Sequence, residues 1–433
     1  MIPLEEVQAL VNHACAPLPS TPVSEIDALG CVLAAPALAQ VDVPPFANSA
    51  MDGYAVRAVD VAHAPVALEV VGRVLAGAAN GCGVGPGEAV RIMTGAPVPS
   101  GADAVCMLEH TRAAAGARVV IESPVPPGEN VRAPGGDVRR GETVLDAGTE
   151  VGPTQLAALV SAGCSMVEVH PRPRVGVIST GDELVDSGLP LGAAQIFDSN
   201  RPMLLALVEE SGCRALDLGR SPDDEDVLAA RITGALDEVD ALVLSGGVSV
   251  GDVDVVRIVL DRLGGAATRW MQIAIRPAKP FSFSVLEGPA GPVPVPVFGL
   301  PGNPVSSAVS FELLVRPALR RMAGRRVTQR PRVVARAEAP LRRRPDGKTH
   351  FVRVQLELLG DADVPGHGSE AADEGAPGWS ARPCPGQGSH QIRSMGLADG
   401  LAVLADGDGV EAGGPVEVLV TNPALSGAFV ATS

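Results

Sequence analysis

The sequence predicts a multidomain fold in which an α/β domain with a parallel sheet lies between two mainly β regions. A length of 433 residues suggests about two to four domains. Between residues 172 and 327, continuous apolar runs alternate with helical periodicity, which is typical of a parallel sheet covered by helices on both faces. Short apolar runs separated by Gly and Pro turns precede and follow this stretch and predict β-rich domains.

Hydrophobic periodicity predicts the elements in chain order. The predicted helices span 3–15, 154–162, 200–211, 223–236 and 252–263, and a last one starts at Asn303 with Pro304 in its first position. Asn200 is the predicted N-cap of the third helix. The predicted strands of the α/β domain are 174–179, 215–218, 240–245, 270–275, 281–286 and 293–299. Those of the flanking regions include 67–71, 118–121, 333–339, 351–358, 401–404 and 416–420. Residues 360–378, rich in Gly, Asp, Glu, Ala and Pro, predict a loop or an insertion.

The charge balance limits the partners of the chain. There are 34 basic and 50 acidic side chains, a formal net charge of −16, and such a surface repels the phosphates of nucleic acids. A small anionic ligand therefore needs a local positive pocket. Only two of the basic side chains are lysines, Lys279 and Lys348, and a lysine retained against such a bias is a candidate for a chemical role.

The sequence predicts a cytoplasmic protein. No apolar run reaches the roughly 18 residues that a membrane span needs. The first residues lack the basic start and apolar core of a secretory leader, so none is expected. The seven cysteines form no C-x-x-C pair, which favours reduced thiols.

Three polar loops follow predicted parallel strands, and open α/β sheets bind their ligands at this edge. Glycines let the backbone approach an anion closely, and helix N-termini donate N–H groups to phosphate oxygens. Glu183, Asp252 and Asp254 supply hard oxygen ligands that suit Mg²⁺. The alternative is that the glycines form ordinary turns and the acids cap helices, but three such loops in succession favour a site. The loops are 179–183, 245–254 and 299–304.

The run 276–280 is a second candidate site. Arg276 and Lys279 lie beside proline-stiffened backbone between two predicted strands, and two cations held in this way suit an oxyanion. The alternative is a solvated turn, but the rarity of lysine favours a function.

The first β region contains two polar turns, 46–56 with the single tyrosine Tyr54 and 94–99, which become informative together with these loops. Together the motifs closely resemble the molybdopterin molybdenumtransferase family, which includes bacterial enzymes and the E domain of gephyrin. The resemblance covers about residues 1–420. The motifs that carry it, in family order, are 48–56, 93–97 with 101–105, 179–184, 198–201, 245–252 and 300–306.

The resemblance implies four domains in each subunit. These are a split, elongated dimerisation domain, an inserted β domain, an α/β domain of the molybdopterin-binding type and a C-terminal β-barrel-like domain. The implied bounds are 1–45 with 137–171, then 46–136, 172–327 and 328–433. The resemblance also implies a homodimer with its site in a cleft between subunits, and the molybdopterin adenylyltransferase and recipient molybdoenzymes as partners.

The implied reaction inserts molybdate into adenylated molybdopterin and releases AMP with the help of Mg²⁺. The implied catalytic residues are Asp52, Thr94, Glu183, Asp223, Asp254 and Lys279. The implied substrate-binding residues are Ser49, Gly246, Gly247, Ser249, Arg276, Pro301, Asn303, Pro304, Arg353 and Ser389. The implied Mg²⁺ ligands are Glu183, Asp252 and Asp254. The family's usual Pro-Gly-Lys-Pro reads Pro-Ala-Lys-Pro at 277–280, which predicts a stiffer loop.

Three other functions compete with this one. The sister adenylyltransferase shares the α/β domain, but it lacks the β region that contains the turn 48–56. No feature of this sequence supports a role as a receptor-clustering scaffold, as in gephyrin. A non-catalytic pterin carrier is disfavoured by four retained acids, which are Glu183, Asp223, Asp252 and Asp254.

Overall fold

The computed structural model describes residues 1–77, 82–247, 255–288, 291–359 and 378–426. They form two compact units, one of Ser20–Val169 and one of Met1–Pro19 with His170–Ser433. Each unit has its own apolar core. The fold is multidomain and mixed α/β, as predicted, whereas the four-domain bounds stay a prediction. The predicted insertion at 360–378 lies, except for Gly378, outside the described residues.

The unit Ser20–Val169 is built on a six-stranded sheet. In spatial order its strands are Ala104–Met107, Gly53–Val56, Glu88–Ile92, Val66–Val74, Arg118–Ile121 and Thr111–Ala114. Three smaller sheets contain Thr21–Ser24, Val32–Leu33, Ala37–Leu38, Asn48–Ser49, Val131–Arg132, Thr143–Leu145 and Met166–His170. The helices are Pro153–Ser161 and the short 3₁₀ turns Ala58–Val61 and Leu108–His110.

Strand register in this sheet brings two predicted site turns together. Gly53 pairs with Ile92 across an antiparallel ladder, so Asp52, just before one strand, lies beside Thr94, just after the other. Gly53 is required here because a Cβ on it would lie 1.9 Å from the carbonyl oxygen of Cys106. The close approach of backbones thus fixes where Asp52 points.

The second unit contains the α/β sheet. Its strands are β1 (Arg174–Thr180), β2 (Arg214–Ser221), β3 (Ala241–Ser245), β4 (Arg269–Gln272), β5 (Pro280–Gly288) and β6 (Gly291–Leu300). The spatial order is β2-β1-β3-β6-β5-β4, with β1, β2, β3 and β6 parallel. The prediction of a fully parallel sheet is wrong at one edge, where β5 and β4 run antiparallel to their neighbours. The cause is that β5 and β6 form a hairpin, which needs no crossover helix.

All six predicted helices are present. They are Pro153–Ser161 and, in the second unit, α1 (Leu4–Ala14), α2 (Asn200–Glu210), α3 (Glu225–Ala235), α4 (Val255–Gly264) and α5, which runs from Pro304 to Met322 through a π turn at Phe311–Val315. Pro304 is in the first turn of α5, as predicted. Further short elements are Gly265–Ala267, Ile392–Gly396 and Pro423–Ser426. Within the described ranges no helix is long and apolar enough to span a membrane.

The C-terminal region contains a closed five-stranded barrel, which confirms the predicted barrel-like domain. Its strands, in order around the ring, are Thr349–Leu358, Trp379–Pro383, Arg332–Ala337, Pro415–Val420 and Gly400–Leu404, and the last pairs back with the first. The prediction missed Trp379–Pro383. Two-stranded ladders join Leu184–Val185 to Ile196–Phe197 and Leu341–Arg342 to Gly409–Val410. A short strand, Ile275–Arg276, pairs in parallel with Thr349 and His350 and ties the segment after β4 to the barrel.

The seven cysteines are free thiols, and all but Cys82 are buried. Burial raises the pKa of the Cys15 and Cys213 thiols to about 12. Because the thiolate is the reactive form, these two side chains are inert near neutral pH.

Candidate functional site

The three loops at the carboxyl edge of the parallel strands meet around Gly246. The backbone N–H of Gly246 donates to the carbonyl oxygen of Leu300 at 3.1 Å, and the Thr180 hydroxyl donates to the carbonyl oxygen of Ser245 at 3.4 Å. Gly246 has a φ of 103°, and a Cβ on it would lie 2.7 Å from Thr180 Oγ1. Only glycine fits this junction. The loops therefore form one continuous edge.

Asn200 clamps the second and third loops together. Its Nδ2 donates to Ser245 Oγ at 2.8 Å and to the carbonyl oxygen of Gly302 at 2.7 Å. The N-cap of α2 is Ser199, so the prediction that Asn200 is the N-cap is wrong. Asn200 is the first helical residue, and its buried amide satisfies backbone and side-chain groups of two loops instead.

Asp198 and Arg201, from the same motif, hold the first loop. The buried Asp198 carboxylate accepts a hydrogen bond from the Ser179 hydroxyl at 2.5 Å and from Arg201 Nε at 3.2 Å. Arg201 also contacts the carboxylates of Asp186 and Asp217. These bonds fix the end of β1, from which the acidic residues 182 and 183 extend.

Acidic side chains follow β1 and β2 at this edge. The backbone N–H of Asp182 donates to Asp223 Oδ2 at 3.4 Å, and that of Asp223 donates to Asp182 Oδ1 at 3.3 Å. Glu183 is exposed beside them. Carboxylate oxygens are the ligands that Mg²⁺ prefers. Within the described residues no three potential metal ligands cluster, and Ser249, Asp252 and Asp254 lie outside those residues.

A cleft of about 350 Å³, the Lys279 cleft, collects four of the ten predicted substrate-binding residues together with Lys279. It also contains a residue that the sequence did not assign to the site, Lys348, so both lysines of the chain line one cavity. Lys348 Nζ lies 3.0 Å from Asp346 Oδ2, which holds the ammonium group in place. The predicted residues in the lining are Arg276, Lys279, Pro301, Asn303 and Ser389.

The loop that presents Lys279 is fixed on both sides. Before it, Ile275–Arg276 pairs with the barrel strand, and after it, the carbonyl oxygen of Lys279 accepts a hydrogen bond from the backbone N–H of Ile273 at 2.8 Å. Ala278, where the family usually has glycine, is buried with a φ of 76°. An alanine in this left-handed conformation is strained, and glycine is not.

Arg353 is buried beneath the loop that carries Ser389. Its side chain is fully buried, and Nη2 donates to the carbonyl oxygens of Gly386 at 3.1 Å and Gly388 at 3.3 Å. Burial lowers the pKa of this guanidinium below its ordinary value. Ser389 is held from the other side, because its carbonyl oxygen accepts from the backbone N–H of Val305 at 3.1 Å, directly after Pro304. Arg353 therefore supports the cleft from below, and the cleft lining does not include it.

The remaining predicted residues lie in the unit Ser20–Val169. Thr94 donates to Asp52 Oδ1 from its backbone N–H at 2.7 Å and from its hydroxyl at 2.8 Å. These two bonds hold the pKa of the Asp52 carboxyl below its usual range. Ser49 is fully buried, and its hydroxyl donates to the carbonyl oxygen of Met51 at 2.6 Å. Ser49 thus shapes the turn that presents Asp52.

Three family models match consecutive parts of the chain. They are the MoeA N-terminal region (domain I and II) at residues 2–163, the probable molybdopterin binding domain at 176–321 and the MoeA C-terminal region (domain IV) at 335–421. The fold and these matches define a multidomain protein of the MoeA type with an α/β domain of the molybdopterin-binding type.

Named relatives extend over nearly the whole chain. It is 34% identical over 430 residues to molybdopterin molybdenumtransferase of Bacillus subtilis, covering 97% of this chain and 94% of that protein. It is 39% identical over 294 residues to the enzyme of the same name from Haemophilus influenzae, covering 68% and 70%. The crystal structure of a molybdopterin biosynthesis MoeA protein from Pyrococcus horikoshii matches with a TM-score of 0.75 at 33% identity, over 97% of this chain and 99% of that one. The chain belongs to the molybdopterin molybdenumtransferase family.

Proposed function

We propose that this enzyme uses molybdate and adenylated molybdopterin as substrates, requires Mg²⁺ and releases AMP. Membership of the family makes it a molybdopterin molybdotransferase, which inserts molybdenum during molybdenum cofactor biosynthesis. The adenylated form of the substrate, the cation and the release of AMP are the parts that we add. The adenylyltransferase, scaffold and carrier functions are not favoured, because the named relatives, one of which matches 97% of this chain, are molybdopterin molybdenumtransferases.

The Lys279 cleft is the observation that carries this proposal. Molybdate is a tetrahedral dianion, and Arg276, Lys279 and Lys348 supply three cationic groups to one cavity. In a chain with a net charge of −16, a dianion binds only where local cations overcome the surrounding field.

The carboxyl edge of the parallel strands suits the adenylated end of the substrate. Gly246 lets the backbone approach a phosphate closely, and Gly247 beside it would offer a backbone N–H group, whereas the N–H groups of Gly246 and Val305 already donate to the carbonyl oxygens of Leu300 and Ser389. Glu183, with Asp252 and Asp254, would hold Mg²⁺, which neutralises phosphoanhydride charge when bound. The carboxylates of these residues have the hard oxygen donors that the cation prefers. The proposed tasks of Asp223 and Ser249 are to position the nucleotide.

We further propose a cytoplasmic homodimer in which Asp52 and Thr94 of one subunit complete the site of the other. The Asp52 carboxylate is partly exposed and fixed by two hydrogen bonds, which suits a group that contacts substrate. Mixing Asp52→Ala subunits with Glu183→Ala subunits tests this arrangement. Recovery of activity in the mixed dimers supports a shared site, and its absence counts against one.

The reaction itself is tested by mixing the purified protein with adenylated molybdopterin, Mg²⁺ and molybdate. We expect AMP release that depends on molybdate. Release of AMP at the same rate without molybdate would contradict the proposal, and release of pyrophosphate from ATP and molybdopterin would favour an adenylyltransferase instead. A Glu183→Ala variant that stays folded and releases no AMP is the matched control.

A further inference from the structure

A second cleft, which we call the arginine cleft, shares Arg276, Pro277 and Gln387 with the Lys279 cleft. Its volume is about 420 Å³. The other walls come from the barrel segment 340–352 and from Pro383. The proposed function makes no use of this space, although one of its cations, Arg276, belongs to both clefts.

The lining of the arginine cleft is strongly cationic. Arg342, Arg343 and Arg344 are consecutive and join Arg276, whereas Asp346 is the one carboxylate among the described residues that line it. Four guanidinium groups thus face one carboxylate, in a chain that has 50 acidic and 34 basic side chains. A concentration of positive charge against the overall charge of the protein is typical of an anion site.

Asp346 does not neutralise the cleft, because it is already engaged. Its carboxylate lies 2.9 Å from Arg343 Nη2, 3.0 Å from Lys348 Nζ and 3.2 Å from His350 Nε2. Arg343 is almost completely buried and is also paired with Asp406. It therefore acts as a structural anchor for the wall of the cleft.

Three of the guanidinium groups remain uncompensated. In the part of the chain that the structure describes, the side chains of Arg276, Arg342 and Arg344 make no hydrogen bond and no ion pair, and all three are exposed. Some exposed arginines elsewhere in the molecule do pair with a carboxylate, as Arg174 does with Asp240. Like charges gathered around one cavity repel each other unless an anion binds between them.

The walls of the arginine cleft are stiff. Pro277, Pro340 and Pro383 restrict the backbone, and Leu341 and Phe351 are buried in the barrel wall. Because the backbone that carries the guanidinium groups is already fixed, ligand binding has to order only their side chains. Guanidinium groups donate pairs of hydrogen bonds that match the oxygens of a phosphate.

We propose that the arginine cleft binds a phosphate monoester, with Arg342 and Arg344 donating to the phosphate oxygens and Arg276 shared with the Lys279 cleft. The volume exceeds what a bare phosphate needs, which leaves room for the group esterified to it. The identity of that group rests on the proposed function, in which both molybdopterin and AMP carry a phosphate monoester. The capacity to bind the phosphate does not rest on it.

The test is isothermal titration of the whole protein at low salt with four separate probes: AMP, molybdopterin, inorganic phosphate and molybdate. The variant Arg342→Ala/Arg344→Ala should weaken binding of at least one of the two esters by tenfold or more. The ester that the variant binds more weakly than the wild type is the one that the arginine cleft binds. The control Arg332→Ala/Arg382→Ala removes the same charge from exposed barrel arginines outside the cleft and should leave binding unchanged.

Three results would overturn the proposal. The first is that the Arg342→Ala/Arg344→Ala variant binds both esters as tightly as the wild type. The second is that the control pair loses as much ester affinity as this variant. The third is that the variant loses as much affinity for molybdate as for the esters. Failure of the proposed function has a different signature. In that case the ester affinities respond to the variant as expected, but wild-type protein releases no AMP in response to molybdate.

Discussion

Thr94 donates two hydrogen bonds to a single oxygen of Asp52, one from its backbone N–H at 2.7 Å and one from its hydroxyl at 2.8 Å. Both bonds favour the ionised carboxylate, so the pKa of Asp52 lies below its usual range. The antiparallel register of Gly53 with Ile92 brings the two turns together. The sheet therefore presents a carboxylate of fixed orientation that stays charged at neutral pH.

Thr94→Val should raise the pKa of Asp52 towards its usual range, because the hydroxyl bond is lost and the backbone bond is kept. A lowered pKa adds stability that is present above the unfolded-state pKa and is lost as the pH falls through the folded-state value. In the variant, Asp52 should therefore contribute less to the free energy of unfolding, and this contribution should be lost at a higher pH than in the wild type. A carboxyl ¹³C NMR titration of Asp52 measures the change. Thr111→Val, whose hydroxyl bonds the carbonyl oxygen of Leu108 in the same unit, is the control. An Asp52 titration that Thr94→Val leaves unchanged would contradict this explanation.

Lys279→Ala should raise the molybdate concentration for half-maximal activity by about tenfold, equivalent to about 1.4 kcal/mol. A compact ammonium group approaches a tetrahedral oxyanion from many angles, so Lys279→Arg should restore the affinity only in part. Arg269→Ala removes an equal charge from an exposed position outside the Lys279 cleft and should have little effect. Weakened binding of the pterin nucleotide with an unchanged molybdate requirement would instead assign Lys279 to a phosphate.

Asn200→Ala should lower the free energy of unfolding by about 1–3 kcal/mol, because Ser245 Oγ and the carbonyl oxygen of Gly302 lose a buried donor. Since the same bonds join two loops of the candidate site, activity should fall as well. Urea unfolding measures the first effect. Ser199→Ala is the matched control, since the Ser199 side chain makes no capping bond to α2. Equal losses in the two variants would show that Asn200 acts only through the helix terminus.

Local sequence patterns predicted the helices and most strands, because those depend on neighbouring residues. Pro304 fixes the start of α5 by its own backbone geometry, and the prediction there is confirmed. An apolar run predicts a strand but not its direction, so the strand at 281–286 was predicted and its antiparallel direction was not. The strand Trp379–Pro383 was missed because its partners in the barrel are distant in the sequence.

The candidate site likewise contains residues that the sequence identified and residues that only the tertiary structure identifies. Composition marks Lys279, which is one of two lysines, and Arg276 lies in the same short run. Lys348 is equally rare, but nothing near it in the sequence connects it to Lys279. That connection is made by the parallel pairing of Arg276 with His350, which brings two remote segments side by side. Site residues supplied by a second segment therefore need the tertiary structure.

Ala278→Gly should leave the free energy of unfolding within about 1 kcal/mol of wild type, because one stabilising effect offsets two destabilising ones. Relief of the left-handed conformation gains about 1–2 kcal/mol, whereas loss of a buried methyl group costs about 0.8 kcal/mol and the greater freedom of the unfolded chain costs about 0.5–1 kcal/mol. Ala318 lies in the same apolar cluster, within a helix. Ala318→Gly gains no such relief, so it should destabilise the protein by about 1–2 kcal/mol. Urea unfolding of both variants compares them directly. Equal destabilisation would mean that Ala278 is not strained and that the loop before Lys279 is no stiffer with alanine than with glycine.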